Sequence, residues 1–156
     1  APIYRFVFLK VNNKAEAEDI VHDVFLNAWK NIDDYDQLGH PFSSWLYQIA
    51  RHKVIDYYRA KKGSLDIEAV CEENFKVVET VEQDLDKNLN LGVVKEAIKQ
   101  LNEDQQNVLI MRFVEDMDHG AIAHILDKSE GAIRIIQHRA IQNLKKIINQ
   151  NGQQFV

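Results

Sequence analysis

The chain has 156 residues, 46% of them hydrophobic and 28% charged, with a formal net charge of −5. This is an ordinary composition for a water-soluble globular protein, and it excludes collagen-like, low-complexity and disulfide-stapled classes. No apolar run approaches the roughly 20 residues that cross a bilayer, and Cys71 has no second cysteine to pair with. With no secretion leader in view, a reducing cytoplasmic setting is expected. The start at Ala1-Pro2 without an initiator Met points to residues missing upstream.

The acidity is not spread evenly. Residues 1–63 carry nine Lys/Arg against eight Asp/Glu, residues 64–90 carry two against eight, and residues 91–156 carry eight of each. One middle segment therefore holds the whole negative excess, and local basic clusters remain on either side.

Helical periodicity dominates along the chain, and no alternating strand pattern is present. From Ala15 to Ile32, apolar Ile20, Val21, Val24, Phe25, Ala28 and Trp29 recur at helical spacing and predict one buried stripe. The stretch "NIDDYDQLGHP" (31–41) breaks the pattern with Asp, Gly and Pro and reads as a loop. The next segment, "FSSWLYQIARHKVIDYYRAKK", predicts a helix burying Phe42, Trp45, Leu46, Ile49, Ala50, Val54 and Tyr57. Its last turns carry Arg59, Lys61 and Lys62, which complement the helix dipole, and Gly63 is expected to stop it. Tyr47 lies off that stripe and is left for stacking on a ligand.

Residues 64–90 lack a clean period and read as an acidic linker between two domains, since so long a connector is unusual inside one. Helices resume at Leu91–Gln100 and at Glu103–Glu115, the latter with Val108, Leu109, Met111 and Phe113 recurring. The stretch "HGAIAHILDKSEGAIRIIQHRAIQNLKK" (119–146) then reads as two amphipathic helices joined by a very short turn. Asp127 stands where the turn requires a left-handed residue, which Asp tolerates. Ser129 is placed to cap the second helix. Ala123 and Ile133 would fill the crossing, leaving Arg134, Gln137, His138 and Lys145 outside. Such a unit docks on DNA in helix-turn-helix proteins and also occurs as a plain helical corner.

No enzyme chemistry is legible. Six histidines are scattered without ligand spacing, and His119 and His124, five apart, do not share a helix face. There is no glycine-rich phosphate loop and no nucleophile beside an organised base. No metal, cofactor or catalytic residue is expected.

Taken in series, "AEAEDIVHDVFLNAWKNI", "FSSWLYQIARHKVIDYYRAKK" and "LNEDQQNVLIMRFVEDMDHGAIAHILDKSEGAIRIIQHRAIQNLKK" resemble the extracytoplasmic-function (ECF) sigma factors of bacterial RNA polymerase. The resemblance implies an all-α protein of two small helical domains joined by the acidic linker. An N-terminal domain, residues 1–63, would bind core polymerase and open the −10 element. A C-terminal domain, residues 91–156, would read the −35 element with its helix-turn-helix.

Carried over residue by residue, the resemblance assigns Asp19, His22, Asp23, Leu26 and Asn27 to the clamp of the largest polymerase subunit. It assigns Asp36, Leu38, Gly39 and His40 to capture of an unstacked −10 base, and Gln48, Arg51, His52 and Arg59 to the rest of that strand. Contacts to the −35 element fall on Ser129, Gly131, Ala132, Arg134, Ile135, His138 and Arg139. Ala132 and Ile135 stand where hydroxyl residues are common in the family, which implies an AT-leaning readout through thymine methyl groups. The acidic linker would pass through basic polymerase channels. The expected partners are core polymerase, promoter DNA and an anti-sigma protein, with no membrane insertion. The competing expectations are a stand-alone helix-turn-helix regulator and a helical adaptor that binds another protein.

Overall fold

A computed structural model describes residues 2–36, 39–64 and 85–152. Among these the chain is helical throughout: α1 (Pro2–Val11), α2 (Lys14–Lys30), α3 (Phe42–Ser64), α4 (Leu85–Lys99), α5 (Glu103–Leu109), α6 (His119–Leu126) and α7 (Glu130–Gly152). A short 3-10 turn, Ile32–Asp34, follows α2, and a π-helical turn, Ile110–Val114, extends α5.

Local chemistry sets the boundaries. Side-chain oxygens of Asn13, Asn102, Asp118 and Ser129 each accept a backbone N–H three residues on, at 2.7–3.1 Å. Each such cap is worth about 1 kcal/mol. Three junction residues, Asn12, Asp116 and Asp127, adopt left-handed φ of 52°, 53° and 54°. Asn and Asp are the non-glycine residues best suited to it. The predicted roles of Asp127 and Ser129 therefore hold.

Helices α1, α2 and α3 pack as one three-helix layer, while α4, α5 and α6 gather around α7. The two halves are not apart. Helix α3 lies against α6, and one apolar cluster runs through both halves, joining Phe6, Val24 and Val54 to Val108, Met111 and Ile122. Removing each such side chain from water contributes about 1.5–3 kcal/mol, so this shared core is a substantial bond between the halves. Ala123 and Ile133 are buried at the α6–α7 crossing, as expected. A smaller cluster of Leu101, Leu109 and Ala140 supports the far end of α7.

Several expectations are corrected. On α2 the buried line is Ala17, Ile20, Val24 and Ala28. Phe25 and Trp29, expected inside, are 48% and 79% exposed. Among the described residues the main partners of this helix are α1 and α3, so a narrow stripe suffices. Phe42 is 41% exposed, and Phe113, within the π turn, is 60% exposed. Tyr47, left for ligand stacking, is buried at 3% exposure. Trp45, expected in the core, is half-buried: it packs against the main core and also meets Tyr35 and Phe42. Gly63 does not stop α3, which runs to Ser64, and α4 starts at Leu85, before the expected Leu91. Helix α1 was not anticipated. Cys71 and most of the acidic linker lie outside the described residues.

Candidate nucleic-acid interface

Three surfaces carry the side chains singled out in the sequence. The first is the outer face of α2. Asp19, His22, Asp23 and Leu26 are exposed there, and Asn27 is half-buried. They are joined by the unexpected Phe25 and Trp29, and by Ile32 at 45% exposure, so the face mixes acidic and large apolar groups. Asp19 and Asp23 also line a groove against Lys53, Asp56 and Tyr57 of α3. Glu16 on the same groove accepts the hydroxyl hydrogen of Tyr57. Burial, then this carboxylate, pushes the Tyr57 phenol above its ordinary value.

The second surface is the loop before α3 and the outer side of α3. The rings of Tyr35 and Trp45 lie 5.3 Å apart, and Phe42 meets both of them, forming an aromatic corner. Tyr35 Oη donates to the carbonyl of His40 at 3.3 Å, which closes the loop on itself. Gly39 takes φ of 77°, a left-handed conformation that costs glycine least. Asp36, His52 and Arg59 are exposed. Leu38 lies outside the described residues.

The remaining three side chains of this set meet the other half of the protein. His40 stacks flat on His124 of α6, with centroids 3.4 Å apart and planes 3° from parallel. Gln48 Nε2 donates to the His124 carbonyl at 3.2 Å. Arg51 Nε stands 3.5 Å from Glu103 Oε1, an ion pair too long to count as a hydrogen bond. Desolvation, then the neighbouring His40, lowers the His124 imidazole below its ordinary value, with Asp127 opposing.

The third surface is the exposed face of α7. Gly131, Arg134, Ile135, His138 and Arg139 follow the i, i+3, i+4, i+7, i+8 rule and are all exposed, with Ala132 half-buried at the edge. Ile135 shows 54% of its surface. Arg134 pairs with Glu130 at 3.4 Å, and Gln142 Nε2 lies 3.0 Å from His138 Nε2. Ser129 is committed to capping the Ala132 N–H. Behind this face, His119 Nε2 and Gln137 Oε1 are 2.7 Å apart and lock α6 to α7. The face is preformed, polar at its ends and apolar at its centre.

Sequence reasoning missed the residues that join the two halves. Arg5 donates Nε and Nη2 to the two carboxylate oxygens of Glu115 at 2.7 and 2.9 Å. Tyr47 Oη donates to Glu115 Oε2 at 3.0 Å, and the buried Lys10 ammonium donates to Asn107 Oδ1. Burial, then Glu115, pushes the Tyr47 phenol upward, and burial lowers Lys10 to about 8. These partners lie 68 to 110 residues apart in the chain, and no local pattern announces them.

Comparison with known proteins fits this geometry. The family model for Sigma-70 region 2 matches residues 1–63, and that for Sigma-70, region 4 matches residues 97–146. The chain is 29% identical over 148 residues to the ECF RNA polymerase sigma factor BldN of Streptomyces coelicolor, covering 94% of this chain and 56% of that protein. It is 29% identical over 153 residues to the ECF RNA polymerase sigma factor SigW of Bacillus subtilis, covering 92% and 81%. The chain thus spans little more than half the length of BldN and most of SigW. Among solved structures, the sigma factor RpoE from Bartonella quintana, crystallised with the anti-sigma factor NepR, superposes with a TM-score of 0.75 at 23% identity, covering 94% of this chain and 89% of that one. The first half of the chain therefore carries region 2 and the second region 4, in that order, and the protein belongs to the ECF group of the sigma-70 family of RNA polymerase sigma factors.

Proposed function

We propose that the chain binds core RNA polymerase and directs it to promoters by two separate DNA contacts. The outer face of α2 is the polymerase-docking surface, through Asp19, His22, Asp23, Leu26 and Asn27. Exposed Phe25 and Trp29 extend it. Apolar groups displayed beside carboxylates suit a protein partner better than bulk water.

The loop over residues 35–42 and helix α3 take the non-template strand of the −10 element. An extruded base needs aromatic walls and groups for its edge. The corner of Tyr35, Phe42 and Trp45, with Asp36, Gly39 and His40 beside it, has that character. Gln48, Arg51, His52 and Arg59 follow the strand beyond it. The α7 face, from Ser129 to Arg139, enters the major groove of the −35 element. In this reading the chain acts by binding, uses no cofactor, and leaves all catalysis to the polymerase.

The observation that carries the reading is the α7 face, whose helical register presents Gly131, Arg134, Ile135, His138 and Arg139 together to solvent. A stand-alone regulator would account for that face but would leave Leu26 and Trp29 of α2 without a purpose. No described helix is long and apolar enough to cross a membrane, and the proposed setting is the cytoplasm. An anti-sigma protein is the proposed regulator. The test is transcription in vitro with purified bacterial core enzyme on a promoter library. Enrichment of one spaced pair of elements is expected, and failure to bind core enzyme overturns the reading.

A further inference from the structure

Two arginines stand on the exposed face of α7, and their surroundings differ. Arg139 forms no ion pair among the described residues and offers a bare positive charge. Arg134 does not. Its Nη2 lies 3.4 Å from Oε2 of Glu130, one helical turn back. That carboxylate is itself confined. A Cβ added to Gly120 of α6 would stand 3.1 Å from Glu130 Oε1 and 3.3 Å from Asp118 Oδ1. The Glu130 side chain is thus folded over the start of α6, in room that a side chain at Gly120 would crowd. One of its oxygens lies over α6 and the other faces Arg134.

As a stabiliser of the fold this pair counts for little. The Arg134 and Glu130 side chains are 60% and 55% exposed, and ion pairs so open to water are weak. Glu130 also stands in the first turn of α7, where its charge complements the helix dipole without help from Arg134. The pair matters once the face meets DNA. Docking on a duplex drives water out, and the interactions among the charges there strengthen. A phosphate approaching Arg134 then meets the Glu130 carboxylate as a like charge, whereas a guanine edge is neutral. The guanine O6 and N7 accept two bonds from a guanidinium. With five N–H donors, Arg134 can make both and still keep Glu130.

We propose that Glu130 is the positioning residue of the α7 face, keeping Arg134 off the phosphates and committing it to a guanine edge. The inference rests on the proposed docking of α7 in the upstream element. Arg139, with no carboxylate beside it, is left to the phosphates. Glu130 lowers the total affinity, because a carboxylate facing DNA repels the backbone, and raises the difference between right and wrong sequences. Gly120 belongs to the same device, since a side chain there would displace the carboxylate. The expected footprint is a single guanine next to the thymine methyl proposed for Ile135.

The test uses the full chain with purified core enzyme and a pool of duplexes randomised across the upstream element. The bound fraction is sequenced at several salt concentrations. A guanine preference at one position is expected, and Arg134→Ala should flatten it. Glu130→Gln should cut that preference about fivefold, tighten binding to the pool as a whole, and steepen the logarithmic salt slope by about 0.9, one added phosphate contact. Glu130→Asp, which keeps the charge on a shorter arm, should fall between. In the Arg134→Ala background, Glu130→Gln should leave base preference unchanged, a coupling that a merely structural role would not produce. Undiminished guanine preference with an unchanged salt slope in Glu130→Gln overturns the role of Glu130 and leaves the α7 reading standing. So does an Arg134→Ala chain that weakens on every sequence alike. Indifference of both affinity and preference to Arg134→Ala, Ile135→Ala and Arg139→Ala overturns the α7 reading, and this inference with it.

Discussion

Glu115 and Arg5 form a two-point ion pair across the junction of the halves, at 2.7 and 2.9 Å, with the Glu115 side chain only 2% exposed. The same carboxylate accepts from buried Tyr47, so one acidic residue serves two helices of the other half. Glu115→Ala leaves the Tyr47 hydroxyl without an acceptor, and the expected cost is about 1–3 kcal/mol in urea unfolding. Glu115→Gln keeps one acceptor oxygen and should lose clearly less. Equal losses for the two variants would show that the carboxylate does not hold the junction.

Lys10 makes stability depend on alkaline pH. Its amine is lowered from 10.5 to about 8 by burial, so the folded chain sheds this proton more easily than the unfolded one. Stability should then rise as pH increases from about 8, by about 1–2 kcal/mol at pH 9.5. The raised phenols of Tyr47 and Tyr57 act the other way, but only near and above their ordinary value of 10.0. Denaturant midpoints at pH 7.5 and 9.5 measure the rise, and Lys10→Met should remove it. Asn107→Ala, which deprives the ammonium of its acceptor, should cost about 1.5–3 kcal/mol at neutral pH.

The His40–His124 stack gives the junction an acid response of its own. Desolvation, then His40, lowers the His124 imidazole, so the folded chain binds this proton less readily than the unfolded one. The stability this group contributes is full above the ordinary imidazole value of 6.5 and is lost as pH falls below it. Asp127 draws the proton in the opposite direction, and Asp36 is the other carboxylate on this pocket. Urea midpoints should fall modestly between pH 7.5 and 5.5. His124→Phe keeps a flat ring and loses this titration, so its midpoint should fall less over that range. An equal fall in that variant would assign the effect to other groups.

Among the described residues of the α7 face, Ile135 is the large apolar side chain on display, flanked by Arg134, His138 and Arg139. Ile135→Ala is expected to cost about 1 kcal/mol in binding the preferred duplex and to flatten a thymine preference at one position. Arg139→Ala should weaken all sequences alike and reduce the salt dependence of binding. A selection from random upstream sequences that returned a strongly GC-specific element would overturn the methyl-contact reading.

The helix-turn-helix was the most legible part of the chain because its determinants are local. Asp127, Ser129, Ala123 and Ile133 each act within one turn or one crossing, and each holds its expected place. The α2 stripe was legible in period but not in width. Phe25 and Trp29 sit about 100° around the helix from Val24 and Ala28, and whether that flank is covered depends on neighbours far away in the chain. Tyr47 failed in the opposite sense. It packs edge-on against Phe6 of α1 and reaches Glu115 just beyond the π turn, partners that no window of sequence around Tyr47 contains. The role of Glu115 was hidden for the same reason.

The π turn at Ile110–Val114 also constrains chain length. Glu115 N–H bonds to the Ile110 carbonyl at 3.0 Å, five residues back, so the turn holds one residue more than an α-helical turn would. Deleting any one of these residues would restore ordinary winding and swing Glu115 by about 100°, away from Arg5 and Tyr47. Most surface bends tolerate gain or loss of a residue, but this one should be refractory to both, and relatives that conserve the carboxylate should conserve the count of residues before it.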